Sequence, residues 1–143
     1  MKKRVKVFLN ANILFCAARS SSGGSASIIN LAKAKKIKAI ISDKVLKETD
    51  KNLRLKEPLK VLLKHYANLK EVDLKIVTAS KKQAKIYEKI INKKDSFIFA
   101  AAQKAKAEFL MTLDKKHFFT SKIKKAKLPF KILNPEKFIK NHF

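Results

Sequence analysis

Short apolar runs of strand length alternate along this chain with longer stretches of helical character. The runs are mostly β-branched or aromatic and lie at Val5–Leu9, Ala39–Ile41, Val72–Val77, Phe109–Thr112 and Phe130–Leu133. Hairpin turn signals are missing between them, since both glycines of the chain fall in one loop. Strands that alternate with helices favour an α/β sandwich with a mostly parallel sheet, which is the fold class we predict.

The segments between these runs predict the helices, and cap residues and prolines suggest their ends. We expect helices at Ala11–Ala18, from Ser25 or Ser27 to about Lys36, from Ser42 or Asp43 past Leu53, from Pro58 to about Leu69, at Ser80–Ile91, at Ser96–Ala107 behind Asp95, as a turn or short helix at Asp114–Phe118, and after Pro135.

The length of 143 residues, 46% of them hydrophobic, predicts one domain, residues 1–143. No apolar run reaches the roughly 18 residues of a membrane span. The N-terminal apolar run is interrupted by Asn10 and Asn12 and lacks a cleavage site, so we do not interpret it as a signal peptide and expect a cytoplasmic protein. Cys16, the single cysteine, excludes an internal disulfide and is predicted to be a small core residue.

The chain carries a formal net charge of +24, with 35 basic and 11 acidic residues. This excess favours a polyanion or an acidic protein as partner. Lysine is a point charge suited to phosphate attraction, so the charge favours nucleic acid backbone binding over sequence reading. Biased genomic composition or heat adaptation also enriches lysine, but explains less well why so few acids accompany it.

Polar residues directly follow three of the predicted strands. Asn10 follows the first strand, and Ser42 and Asp43 follow the second. Thr112 and Asp114 follow the strand that begins at Phe109. Because the carboxyl ends of parallel strands meet at one edge of a sheet, we expect these groups to share that edge, where active groups collect in such folds.

Three acids are candidates for a metal site: Glu48, Asp95 and Asp114. Glu48 lies on the flank of its helix, roughly 110° from the centre of the apolar face, where it can reach a cleft. Each acid also has a structural interpretation: Glu48 as a solvated helix acid, Asp95 as a helix N-cap, and Asp114 as a turn or cap residue. Together they supply the oxygen ligands that Mg²⁺ or Mn²⁺ prefers, and such an ion can promote attack of water on a phosphodiester.

Other chemistries have less support. His65, His117 and His142 show no zinc spacing and are expected at solvated or packed surface positions. There is no P-loop, dinucleotide fingerprint or nucleophile elbow. Phe118 and Phe119 suit base stacking, but core packing is the favoured interpretation.

Four segments together resemble the motifs of the PIN-domain family. In order, they are VFLNANILF at 7–15, which is similar to a strand followed by D-x-N-[IV]-[LF]; ISDKVLKE at 41–48, with the glutamate; KDSFIFAAA at 94–102, similar to D-x-x-[IL]-x-A-x-A; and FLMTLDKKHF at 109–118, similar to [ST]-x-D-x-x-[FL]. Each motif is weak alone, but the four in register span nearly the whole chain.

The resemblance implies a three-layer α/β/α fold and a Mg²⁺- or Mn²⁺-dependent endoribonuclease, most similar to the VapC-like toxins of type II toxin–antitoxin pairs. It implies that Glu48, Asp95 and Asp114 hold the metal and act in catalysis, that Thr112 supports the site by hydrogen bonding, and that Asn12 positions neighbouring groups. It also implies RNA as substrate, a homodimer, and inhibition by an antitoxin protein.

Asn10 departs from the family pattern because it stands where the first catalytic, metal-binding aspartate is expected. An amide oxygen can ligate Mg²⁺, but it carries no negative charge and cannot act as a base. The segment Asn92–Lys94 also lacks an acid often found there in the family. The sequence therefore predicts weakened or abolished cleavage. Two explanations stay open: an engineered substitution in a toxic nuclease, or a natural non-catalytic PIN domain that binds RNA or a protein partner.

Overall fold

The computed structural model describes residues 4–143. Its five strands are β1 Val5–Leu9, β2 Ile37–Ser42, β3 Leu74–Val77, β4 Phe109–Met111 and β5 Lys131–Leu133. Its helices are α1 Ala11–Arg19, α2 Gly24–Lys33, α3 Asp43–Lys56, α4 Leu59–Glu71, α5 Lys81–Lys85, α6 Lys93–Lys104, α7 Lys115–Phe118, α8 Ser121–Lys125 and α9 Pro135–His142.

All five strands are parallel, in the order β3-β2-β1-β4-β5. The predicted α/β fold with a parallel central sheet is therefore confirmed, and helices flank the sheet as the three-layer arrangement requires. From β1 the chain first adds β2 and β3 on one side of the sheet, and then crosses to add β4 and β5 on the other side. The direction of winding therefore reverses between β1 and β4. A crevice at the carboxyl ends of the strands is expected at such a reversal.

The core surrounds the central strand and helix α6. Val7, Phe8 and Leu9 of β1 are fully buried, as a central parallel strand requires. On α6, the ring of Phe99 lies 5.5–5.6 Å from those of Tyr87, Phe118 and Phe130. Phe118 is buried here and Phe119 packs partly against the core, so core packing, and not base stacking, is confirmed for Phe118.

The helices α2, α5 and α8 differ from the prediction. Helix α2 begins at Gly24 behind Gly23, so Ser25 and Ser27 are not its caps. The helix predicted to run to Ile91 ends at Lys85 and continues as turns, because Tyr87 and Ile91 turn into the core while Ile86 stays 70% exposed. Helix α8 was not predicted at all.

Cys16 is half-buried and not the core residue expected. No helix in residues 4–143 combines the length and apolar character needed to cross a bilayer.

His65 is the one histidine that the prediction misplaced, since it is buried between α3 and α4 and not at the surface. Its Nε2 atom has no hydrogen-bond partner among the described residues. Burial lowers the pKa of His65 below its usual 6.5, although the nearby Asp50 carboxylate opposes this shift. The folded protein therefore favours the neutral imidazole.

We expect the free energy of unfolding to decrease as the pH falls below about 6.5. In that range the unfolded chain binds the proton on His65 more readily than the folded protein, so acid favours unfolding, down to the lowered pKa of the folded state. Denaturant titrations between pH 8 and pH 5 measure this. The His65→Gln variant should show a shallower decrease, and an identical decrease would contradict the assignment.

Candidate active site

A cleft of about 460 Å³ opens at the carboxyl ends of the strands, at the reversal between β1 and β4. The starts of α1, α6 and α7 and one side of α3 form its walls. It is lined by Asn10, Ala11, Asn12, Phe15, Glu48, Asn52, Lys56, Asn92, Lys94, Asp95, Asp114 and His117.

Asn10 links β1 to helix α1 and is almost completely buried. It is the N-cap of α1: its Oδ1 accepts a hydrogen bond from the Ala11 backbone N–H at 2.8 Å. Its Nδ2 donates to Thr112 Oγ1 at 3.0 Å. The opposite amide orientation would set two donors against each other at Ala11, so the cap fixes the orientation. Asn10 therefore directs a donor toward Thr112, where an aspartate would direct an acceptor.

Thr112 lies beneath the cleft, fully buried at the end of β4. Its hydroxyl oxygen accepts from Asn10 Nδ2, from Asn12 Nδ2 at 3.2 Å and from the Asp114 backbone N–H at 3.2 Å. The Asn12 side chain completes the link by accepting from the Leu113 N–H at 3.1 Å. The structure thus joins Thr112 and Asn12 by a direct hydrogen bond beneath the cleft, and their roles in supporting and positioning the site stay a prediction. Three donors exceed by one the two lone pairs of a hydroxyl.

Glu48 projects from α3 into the cleft, as its position on the flank of the helix predicted. Its Oε1 accepts a charged hydrogen bond from Lys94 Nζ, at the start of α6 and 46 residues away in sequence. This hydrogen bond to Glu48 raises the pKa of the Lys94 ammonium, and the nearby negative charges of Glu48 and Asp95 act in the same direction.

Asp95 is not the N-cap of α6, which corrects one of its two interpretations. Asn92 is the cap, and its Oδ1 accepts from the Asp95 N–H at 2.9 Å. Asn92 Nδ2 donates in return to Asp95 Oδ2 at 2.7 Å. The helix consequently starts at Lys93, and Asp95 lies in its first turn, where the helix dipole favours a carboxylate.

Asp114 is the N-cap of the short helix α7, as its second interpretation proposed, and also lines the cleft. Its Oδ1 accepts from the His117 N–H at 3.0 Å, and its Oδ2 lies 2.9 Å from His117 Nδ1. A cap role and a cleft role are therefore compatible at this residue.

The structure brings the four motif positions, Asn10, Glu48, Asp95 and Asp114, to one cleft. Asp43, at the end of β2, does not line it. The sequence interpretation missed Lys94 and His117. His117 lies three residues after Asp114, so its contact with Asp114 could have been predicted from the sequence; the histidines were tested only for the spacing of a zinc site. The contact of Lys94 with Glu48, in contrast, depends on the tertiary fold.

The donor set suits a hard divalent cation, since three carboxylates and amide oxygens face the cleft. In residues 4–143, however, no three Asp, Glu, His or Cys side chains are grouped closely enough to hold a metal ion. Each carboxylate contacts another group instead: Glu48 contacts Lys94, Asp95 contacts Asn92, and Asp114 contacts His117. The oxygen ligands are therefore of the type that a divalent cation prefers, but these contacts would have to rearrange for the cation to bind.

Comparison with known proteins agrees with the motifs. Residues 6–116 match the PIN domain. No curated protein matches the chain significantly. Among solved structures, VapBC2 from Rickettsia felis, bound to a promoter DNA fragment, has 20% identity and a TM-score of 0.66 over 91% of this chain and 98% of that one.

Two further structures are similar. A toxin–antitoxin complex from Klebsiella pneumoniae has 18% identity and a TM-score of 0.60, over 88% of this chain and 99% of that one. VapC20 from Mycobacterium tuberculosis, a toxin that cleaves the sarcin–ricin loop, has 15% identity and a TM-score of 0.58, over 77% and 91%. These likenesses show the fold, and the match over residues 6–116 shows the family: the chain belongs to the PIN-domain family.

Proposed function

We propose that this chain is an endoribonuclease of PIN type, dependent on Mg²⁺ or Mn²⁺, that serves as the toxin of a toxin–antitoxin pair and has weakened activity because of Asn10. The observation that carries the proposal is that all four motif positions line one cleft at the reversal of the sheet. PIN-domain nucleases generally use divalent metal ions, and VapC20 supports RNA as the substrate class. Restoring the carboxylate with Asn10→Asp, and assaying RNA cleavage with and without EDTA, tests it.

Glu48, Asp95 and Asp114 would hold the ion, and the amide oxygen of Asn10 would offer an uncharged ligand. When bound, such an ion would supply a Lewis acid for the attack of water on a phosphodiester. The protein's own groups do the rest. Thr112 holds Asn10, Asn12 and the Asp114 backbone in fixed positions.

The segment that follows Asp114 in the chain is strongly basic. Residues 115–127 contain six exposed lysines and no acid: Lys115, Lys116, Lys122, Lys124, Lys125 and Lys127. None of the six forms an ion pair within the described part of the chain. Unpaired surface lysines attract a phosphate backbone without reading its sequence, so we assign RNA binding to this surface.

We expect the double variant Lys115→Gln/Lys116→Gln to bind RNA about tenfold more weakly at low salt. Each lost phosphate contact should also reduce the slope of log affinity against log salt by about 0.7. The matched control is Lys35→Gln/Lys36→Gln, which removes two adjacent exposed lysines just before β2, at the amino ends of the parallel strands. Equal weakening by both pairs would contradict a specific RNA surface.

A protein partner is part of the proposal. The α3–α4 hairpin exposes Leu55, Leu59 and Leu63, which are 71%, 68% and 55% exposed. Lys56, Lys60 and Lys64 lie among them, so an amphipathic segment with acidic residues, as in an antitoxin, suits this surface. Two of the similar structures are toxin–antitoxin complexes. Co-purification from the native host tests the protein partner, and recovery of the chain alone counts against it.

A homodimer is also part of the proposal. Light scattering of the purified chain tests it.

The orientation of Asn10 favours a second candidate function, a PIN domain that binds RNA or a protein without cutting. Its amide oxygen is used by the helix cap and its nitrogen by Thr112. This function predicts RNA binding with a steep salt dependence and no cleavage even after Asn10→Asp, so the same assay separates the two.

A further inference from the structure

Lys94 places a positive charge in the candidate metal cleft. The start of α6 carries two consecutive lysines, but only Lys94 lines the cleft, and its ammonium binds Glu48 Oε1. Glu48 is one of the three carboxylates available to a metal. A charge-assisted hydrogen bond of this kind uses the oxygen that an ion would need.

The charges lining the cleft are nearly balanced without a metal. Glu48, Asp95 and Asp114 bring three negative charges, and Lys56 and Lys94 bring two positive ones. Counted over these five charged side chains, the formal total is one negative charge. A divalent cation therefore meets less negative charge than four acids would offer, and part of it is already paired.

The pair is accessible enough to exchange. The Lys94 side chain is 74% exposed and that of Glu48 is 30% exposed. An exposed lysine is only weakly held by a single carboxylate, and can turn to solvent or to a phosphate. Lys94 consequently acts as an exchangeable cation, and not as a permanent structural one.

We propose that Lys94 is a built-in counter-ion of Glu48 that competes with divalent metal for the cleft. This inference rests on the proposed function, since it concerns the same site. It adds a second reason for low metal occupancy, independent of Asn10. Two features of the chain then act together: one ligand lacks its charge, and another is paired with an ammonium group.

Mn²⁺ binding to the purified full chain, measured by calorimetry or by the spin signal of free Mn²⁺, tests the inference. We expect Lys94→Gln to bind Mn²⁺ about tenfold more tightly, because a positive charge close to the dication has been removed. Lys94→Arg keeps the charge and should bind like the unaltered chain. Lys93→Gln is the matched control, since it makes the same change one residue away, outside the cleft, and should shift the affinity less than twofold.

Circular dichroism verifies that each variant is folded. Equal Mn²⁺ affinity of Lys94→Gln and Lys93→Gln overturns the inference and leaves the proposed function standing. No Mn²⁺ binding by any variant, Lys94→Gln and Asn10→Asp included, overturns both. Tighter binding by Lys94→Gln without RNA cleavage by Asn10→Asp supports the role of Lys94 and counts against the proposed enzyme.

Discussion

Replacing Asn10 by aspartate is expected to raise Mn²⁺- or Mg²⁺-dependent RNA cleavage by about 100-fold or more. Asn10 lines the same cleft as Glu48, Asp95 and Asp114, so the change adds a fourth carboxylate to the candidate site. A rate increase of this size corresponds to about 2.7 kcal/mol of transition-state stabilisation, within the several kcal/mol that a properly bound metal ion supplies.

The hydrogen bonds around position 10 suit an aspartate better than an asparagine. Thr112 Oγ1 now receives three donors and has no acceptor for its own proton among these partners. With aspartate at position 10, the hydroxyl would donate to the carboxylate and accept from Asn12 and the Asp114 N–H, which is its full capacity. The other carboxylate oxygen would continue to accept from the Ala11 N–H. We therefore expect Asn10→Asp to fold.

The assay compares cleavage of a broad RNA panel with Mn²⁺, with Mg²⁺ and with EDTA. Asn52→Asp is the matched control, because it adds the same charge to the same cleft at a residue outside the four motif segments. The double variant Asn10→Asp/Asp95→Asn should be inactive if the carboxylates act together. An Asn10→Asp protein that folds, binds Mn²⁺ and cuts no RNA would rule out the nuclease proposal in favour of the binding function.

Much of the fold was predictable because it depends on local patterns. Strand-length apolar runs separated by helices are sufficient for a parallel α/β sheet, and the residue after each strand is then placed at a known edge. For this reason Asn10, Thr112 and Asp114 were predicted to lie together at the carboxyl ends of the strands. Glu48 followed from helix periodicity, since the apolar face of α3 fixes the direction of its flank.

The missed features depend on contacts that local sequence does not encode. Asn92 and Asp95 are equally good caps, and the choice between them set the start of α6. The helix at Lys81 ends early because Tyr87 packs against Phe99, a contact made only in the folded protein. The pairing of Lys94 with Glu48 likewise joins elements far apart in the chain, so the charge balance of the cleft was invisible in the sequence.

Replacing Thr112 by valine is expected to lower the free energy of unfolding by about 2 kcal/mol. Valine fills a similar volume but removes the acceptor for Asn10 Nδ2, which is buried and has no other partner in the described structure. A buried donor without an acceptor costs about 1–3 kcal/mol. Asn12 and the Asp114 N–H lose the same acceptor but are nearer to solvent, so water replaces part of what they lose.

Thr112→Ser is the matched variant for this prediction, because it keeps the hydroxyl and removes only a buried methyl group, worth about 0.8 kcal/mol. Denaturant unfolding of both variants gives the comparison. The two effects predict opposite orders of stability. If the Thr112 hydroxyl holds the site together, the valine variant is the less stable of the two. If only packing of the methyl group matters, the serine variant is the less stable. In the Asn10→Asp background, valine should also reduce cleavage more than serine, because position 10, Asn12 and Asp114 lose their shared anchor. A serine variant less stable and less active than the valine variant would show that Thr112 only fills space.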